Sequence, residues 1–152
     1  MSFFNTMNIA ATGLTAQRLR MDTISENIAN ANTTRTADGG PFQRRTVVFE
    51  EIRSNDPFSI IFRNIFGTSP PAHQGTGVRV SRIVRDESNG PLTYDPSHPD
   101  ADENGYVRMP NINIVEEMVN MISATRSYEA NITAMSNARH LFQRTLEIGQ
   151  GR

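Results

Sequence analysis

The chain of 152 residues contains no cysteine, no lysine and no tryptophan. Without cysteine there is no disulfide, no thiolate metal site and no cysteine nucleophile, although the redox compartment stays open. Without lysine, all 15 basic residues are arginine, which makes planar bidentate contacts and is enriched at protein interfaces. The formal net charge is −1, so no net field draws the chain to nucleic acid or to an anionic membrane. Arg44-Arg45 is the only adjacent basic pair. The start, Met1-Ser2-Phe3-Phe4-Asn5-Thr6, lacks a basic region followed by an apolar one, so no secretory signal peptide is visible. No apolar run approaches the roughly 20 residues that span a bilayer, which predicts no stable membrane insertion. Composition alone therefore predicts a soluble, cytoplasmic chain with one modest core.

What is present is helical patterning at both ends. Phe3, Met7, Ala10, Leu14, Gln17, Met21, Ile24 and Ile28 are spaced alternately four and three, a heptad seam with one polar member. A helix over about residues 3–29 would be roughly 40 Å long. Asn27, Asn30 and Asn32 follow, and asparagine tolerates left-handed conformations and local side-chain bonds that stop a helix. The C-terminal segment opens on Asn113 with Glu116 three residues on, an asparagine form of the capping box. Glu116 and Glu117 suit the positive end of the helix dipole. Its seam reads Ile114, Met118, Met121, Thr125, Tyr128, Ile132, Met135, Arg139, Phe142 and Leu146, with Gly149 as the stop.

Further apolar residues lie off these seams: Ile9, Ala16 and Leu19 on the first helix; Val115, Val119, Ile122, Ala134, Ala138 and Leu141 on the second. A helix apolar on more than one side needs more than one neighbour, either the middle of the same chain or another subunit.

The middle is mixed. Strands are predicted over 46–52, 78–84, 92–94 and 105–109, with Asn89-Gly90-Pro91 turning the chain. Phe58, Ile61, Phe62, Ile65 and Phe66 form an apolar helical stripe behind Asp56 and Pro57, which predicts a short docked helix near 57–66. The fold class is thus mainly α with small β. Long terminal helices, residues 1–32 and 112–152, pair as a coiled-coil-like bundle, and 33–111 forms a β-rich middle.

Chemistry-bearing constellations are sparse. Asp100, Asp102 and Asn104 with Gly105 match the first half of a calcium loop, but position 12 is Asn111 instead of a glutamate, and Pro110 blocks an exit helix. A polar turn held by Asx hydrogen bonds fits better. His98 stands near Asp95 and Asp100 without a second histidine at ligand spacing. No nucleophile elbow or glycine-rich phosphate loop occurs. The expectation is no catalytic residue, no metal and no cofactor.

Asn27-Ile28-Ala29-Asn30-Ala31-Asn32-Thr33 behind a terminal helix resembles the N-terminal signature of the flagellar axial (rod, hook and filament) family. A narrower match runs through Tyr94, Asp95, Pro96, His98, Pro99, Gly105, Tyr106, Pro110 and Asn111, then Tyr128, Glu129 and Asn131. It is similar to a basal-body subunit of the proximal rod, and Pro41-Phe42-Gln43-Arg44-Arg45 fits the same pattern. The likeness covers nearly the whole chain except about residues 54–75.

This resemblance implies export, without a cleaved signal, through the flagellar type III apparatus, and assembly with copies of itself, other rod proteins and MS-ring or rod-adaptor proteins. It implies terminal helices packed around a hollow drive shaft crossing the periplasm, which overrides the cytoplasmic expectation. Another rod subunit type, or a small soluble calcium- or metal-binding module, are the alternatives.

Overall fold

The computed structural model describes residues 3–52, 76–149 and 151; the helix expected near 57–66 lies outside them. Helix α1 spans Phe3–Ala29, strand β1 Arg45–Glu51, β2 Val78–Arg85, β3 Leu92–Tyr94, β4 Tyr106–Arg108, and helix α2 Ile114–Gly149. β1 and β2 pair antiparallel, with Ser81 as the extra residue of a bulge where Val48 faces Arg82 and Phe49 faces Val80. β3 and β4 form a second antiparallel pair, Leu92 facing Arg108 and Tyr94 facing Tyr106.

The two long helices lie antiparallel. Phe4 meets Phe142 with ring centroids 6.2 Å apart, and the Thr125 hydroxyl points to Met21 Sδ at 3.6 Å. At Gly13 a Cβ would sit 2.8 Å from Asn131 Oδ1. Asn27 bonds Glu117. Along α1 the partner number falls steadily, as two straight helices running in opposite directions require. Among the described elements α2 packs only on α1, whereas α1 also packs on β1 and β2.

Both helix ends follow local chemistry. The Asn113 carboxamide oxygen accepts the N–H groups of Val115 (3.0 Å) and Glu116 (3.4 Å), the cap read from the sequence. α1 stops without a left-handed asparagine, since no described non-glycine residue has positive φ. Instead the last turn tightens: the Ala31 N–H donates to the Ile28 carbonyl at 3.2 Å and the Thr33 N–H to the Asn30 carbonyl at 3.0 Å.

The packing line on α2 differs from the seam read in the sequence. Met121, Tyr128 and Met135 are half-buried, but the companion positions in the interior are Glu117, Ala124 and Ala138, with Asn131 half-buried on the same line, each one residue before Met118, Thr125, Arg139 and Ile132 respectively. Ile114, Met118, Ile132 and Leu146 are exposed, and Phe142 sits at the margin against Phe4. The reason is steric. Small side chains let the helices approach closely, and Ala10, Gly13 and Ala16 on α1 face that way too. On α1 the seam from Met7 through Leu14 and Met21 to Ile28 is at least half-buried, with Ala10 and Ile24 fully so. Phe3 lies in α1, with its side chain outside the description.

Among the described residues the fully buried apolar set is thin, five of its eight members being alanine, and little of their large apolar surface lies inside. Gly13 gives a direct test. Gly13→Leu should cost about 2–3 kcal/mol by driving the helices apart at Asn131. Gly13→Ala should be near neutral, because a helix-propensity gain of about 1 kcal/mol offsets pressure on a rotatable amide. Urea unfolding of both variants checks the contrast.

Candidate functional site

Where α1, β1 and α2 converge, the interior is polar. Asn27 and Glu117 are each 1% exposed, the largest fully buried side chains among the described residues. The Asn27 carboxamide reads the backbone of Arg45 on both sides. Its Oδ1 accepts the Arg45 N–H at 2.9 Å, and its Nδ2 donates to the Arg45 carbonyl at 2.8 Å. The same Nδ2 donates to Glu117 Oε2 at 2.9 Å. Asn27 therefore docks the first residue of β1 on α1 as a neighbouring strand would, and ties both to the first turn of α2.

Glu117 is charge-compensated from one side. Arg44 reaches Glu117 Oε1 through Nε (2.9 Å) and Nη2 (2.6 Å), and Asn120 Nδ2 adds a longer bond at 3.4 Å. The hydrogen bond to Glu117 holds the Arg44 guanidinium above its already high ordinary range, against desolvation, so Arg44 stays charged. A rim surrounds this clasp: Arg45 bonds Glu26 Oε1 at 2.6 Å, and its guanidinium lies 5.4 Å from the Phe42 ring centroid. Sequence reading placed Asn27 at the helix stop, Glu117 at the dipole and Arg44-Arg45 as the only basic pair. It missed that they form one cluster. The available signal was an acid at heptad spacing with Met121, Ala124 and Tyr128.

The other motif residues build the β3–β4 hairpin and its loop. Tyr94 and Tyr106 meet edge-on at 5.3 Å on its exposed side, while Val107 on the opposite side is 2% exposed. Asp102 Oδ1 accepts the N–H of Asn104 (2.9 Å) and of Tyr106 (2.8 Å), and Gly105 turns at φ +78°. Asp100 accepts from Thr34 at 2.8 Å and pairs with Arg35 at 3.6 Å, and its N–H donates to His98 Nδ1 at 3.1 Å. The acids of the calcium-like stretch are thus used as turn and tether groups, and no group of three metal-ligating side chains converges among the described residues. Pro110 is buried and Asn111 Nδ2 donates to Ser88 at 2.6 Å. Tyr128 and Asn131 lie on the α1-facing side of α2, and Glu129 faces outward.

Asp95 is held below the ordinary carboxylate range, first by the Ser97 hydroxyl (2.6 Å) and then by the Ser97 N–H (3.1 Å). A lowered folded value means its bonds contribute fully above the unfolded value, about 3.9, and are lost as pH falls through the folded one. Carboxyl NMR should show Asp95 titrating below the same carboxyl in the unfolded chain, with loss of the Ser97 amide bond following the same curve.

Two terminal helices paired antiparallel and, among the described residues, a thin alanine-rich interior and much exposed apolar surface define a structural, assembling class of protein; no described helix is long and apolar enough to cross a membrane. The comparisons agree. "Flagella basal body rod protein" matches residues 7–35, and "Flagellar basal body rod FlgEFG protein C-terminal" matches residues 103–148. The chain is 48% identical to the flagellar basal-body rod protein FlgC of Borreliella burgdorferi, over 99% of this chain and 100% of that one. It is 42% identical to FlgC of Bacillus subtilis and 35% identical to FlgC of Salmonella typhimurium, at the same coverage. The chain belongs to the FlgC family of flagellar basal-body rod proteins, a structural family, and is not an enzyme.

Proposed function

We propose that this rod subunit builds the proximal rod through its terminal helices, residues 1–32 with 112–152, leaving residues 33–111 on the outside of a hollow, torque-transmitting shaft. The observation that carries the reading is the uncovered side of α2: Val115, Met118, Val119 and Ile122 are 54–69% exposed on a helix with one described neighbour. Exposed apolar runs of that kind mark interaction surfaces. The partners proposed are copies of this chain, other rod proteins and the MS-ring or rod-adaptor proteins.

Export would precede assembly, through the type III apparatus and without a cleaved signal. A thin interior suits that route, because a subunit with a small core unfolds readily and gains its remaining stability from neighbours. Removing residues 1–30 takes away α1 and the Asn27 clasp together. In a flagellated host lacking its own FlgC, the shortened chain should leave basal bodies without a rod and cells that do not swim. Swimming cells with complete rods would overturn the proposal.

A further inference from the structure

Three places in the chain put an aspartate or asparagine directly before glycine: Asp38-Gly39, Asn89-Gly90 and Asn104-Gly105. Such pairs are reactive for a steric reason. Glycine has no side chain to shield its own backbone nitrogen, so that nitrogen can reach the side-chain carbonyl carbon of the residue before it. In a folded chain the reaction then depends on how the glycine N–H is held.

Two of the three are held. The Gly39 N–H donates to the Thr36 carbonyl at 3.0 Å, and the Gly105 N–H to the Asp102 carbonyl at 2.9 Å. Asp102 Oδ1 also accepts the Asn104 N–H at 2.9 Å, which fixes that turn on both sides of the junction. Asn89-Gly90 differs. It lies in irregular backbone between β2 and β3, outside both strand pairs. Among the described residues neither the Asn89 carboxamide nor the Gly90 N–H has a hydrogen-bond partner, and Asn89 is exposed. The residues on either side are anchored, Ser88 to Asp86 and Asn111, and Pro91 to Met109. The reactive junction is thus an unbonded link between two fixed points.

We propose that Asn89 is a site of spontaneous covalent modification, converting through a cyclic imide to aspartate and isoaspartate. The Gly90 nitrogen gives up its proton and bonds to Asn89 Cγ. The Cγ–Nδ2 bond breaks, and Nδ2 leaves as ammonia with that proton. Water then opens the imide ring. Entry at Cγ breaks its new bond to the Gly90 nitrogen and leaves aspartate. Entry at the Asn89 main-chain carbonyl breaks the original peptide bond and leaves isoaspartate, with the chain now running through Cβ and Cγ. Water is the only co-reactant.

The product matters because of where it forms. Gly90 is packed so closely that an added Cβ would fall on the Met109 carbonyl oxygen. Isoaspartate lengthens the main chain by a methylene immediately before that contact, and either product adds a carboxylate to a stretch that already holds Asp86 and Glu87. The bond from the Met109 N–H to the Pro91 carbonyl, which extends the β3–β4 pair by one step, takes the strain. Ageing at one exposed asparagine therefore loosens the hairpin.

The purified full-length chain is aged at neutral pH and digested, and the peptides carrying Asn89 and Asn104 are followed by mass for loss of the amide. Isoaspartate is scored separately, by transfer of a labelled methyl group from an isoaspartate-specific methyltransferase. Asn89 should convert roughly tenfold faster than Asn104, the factor expected when one backbone hydrogen bond must break before the nitrogen can attack. In guanidinium chloride, where that bond is gone, the two should convert at similar rates. Asn89→Gln should remove most of the methyl acceptance, because the longer side chain has to close a larger and slower ring. Equal rates in the folded chain, or the same ratio in denaturant, would overturn the assignment. So would an Asn89 that stays intact in the folded chain while the unfolded chain converts, since the fold would then protect it. The Met109 amide should exchange faster in the isoaspartate fraction than in unaged chain, and unchanged protection would overturn the effect on the hairpin. None of these readouts depends on rod assembly.

Discussion

Asn27→Ala should lower the unfolding free energy by about 2–4 kcal/mol. The side chain removed is polar, so lost apolar contact contributes little. What is lost is satisfaction. The Arg45 N–H and carbonyl each lose a partner within 3 Å, and Glu117 Oε2 loses its donor while 1% exposed. Each such group left buried without a partner costs about 1–3 kcal/mol, and water entering the space returns part of it.

Glu117→Ala should cost a comparable amount by stripping Arg44 of its carboxylate, less than a fully buried pair would, because Arg44 is about a quarter exposed. The pair should not add. Once Asn27 is gone the cluster is already open, so the double variant should fall short of the sum by about 1 kcal/mol or more. Chemical unfolding of the four proteins measures this directly, and strict additivity would mean that the two residues support the fold independently.

The clasp also shows what the sequence could and could not convey. Helix ends, strands and the polar Asp100–Gly105 turn were legible because each depends on residues within a few positions: the Asn113 cap, the Asn89-Gly90-Pro91 bend, the Asp102 side chain on its own backbone. The Asn27–Arg44–Glu117 cluster was not, since its members stand 17 and 73 residues apart in sequence and meet only after α1 and α2 pair.

The α2 packing line was missed for a different reason. Two heptad lines one residue apart run along that helix, and counting apolar residues favours the line through Met118 and Ile132. The helices instead approach along Ala124 and Ala138, where small size matters more than hydrophobicity. The apolar count assumes that one chain buries its own surface. A subunit whose greasy side is reserved for neighbours breaks that assumption, and the place where it breaks is the surface proposed for assembly.

The second large effect is expected where the chain turns into the hairpin. A Cβ added at Gly90 would fall on the Met109 carbonyl oxygen, well inside van der Waals contact, and within 2.8 Å of Asn111 N and of the Pro110 carbonyl carbon. All three are backbone atoms and none can step aside cheaply. Met109 N–H is bonded to the Pro91 carbonyl at 2.9 Å, Pro110 is buried, and Asn111 is tied to Ser88. Gly90→Ala should therefore cost about 3 kcal/mol or more, near the upper end for overpacking, by prising 88–91 from 109–111 and opening the β3–β4 pair.

Gly39→Ala is the matched control. Gly39 has φ +81° but open space around it, so alanine there should cost only the left-handed strain, about 1–2 kcal/mol. Hydrogen exchange at the Met109 amide reads the local event: protection should fall sharply in Gly90→Ala and stay unchanged in Gly39→Ala. Equal losses in the two variants would mean that the close approach at Gly90 is relieved by movement, and that the hairpin is not anchored there. If the approach is rigid, the Asn113 cap two residues beyond Asn111 inherits its position from it. A glycine in the middle of the chain then helps to set where α2 begins and how its first turn meets Asn27.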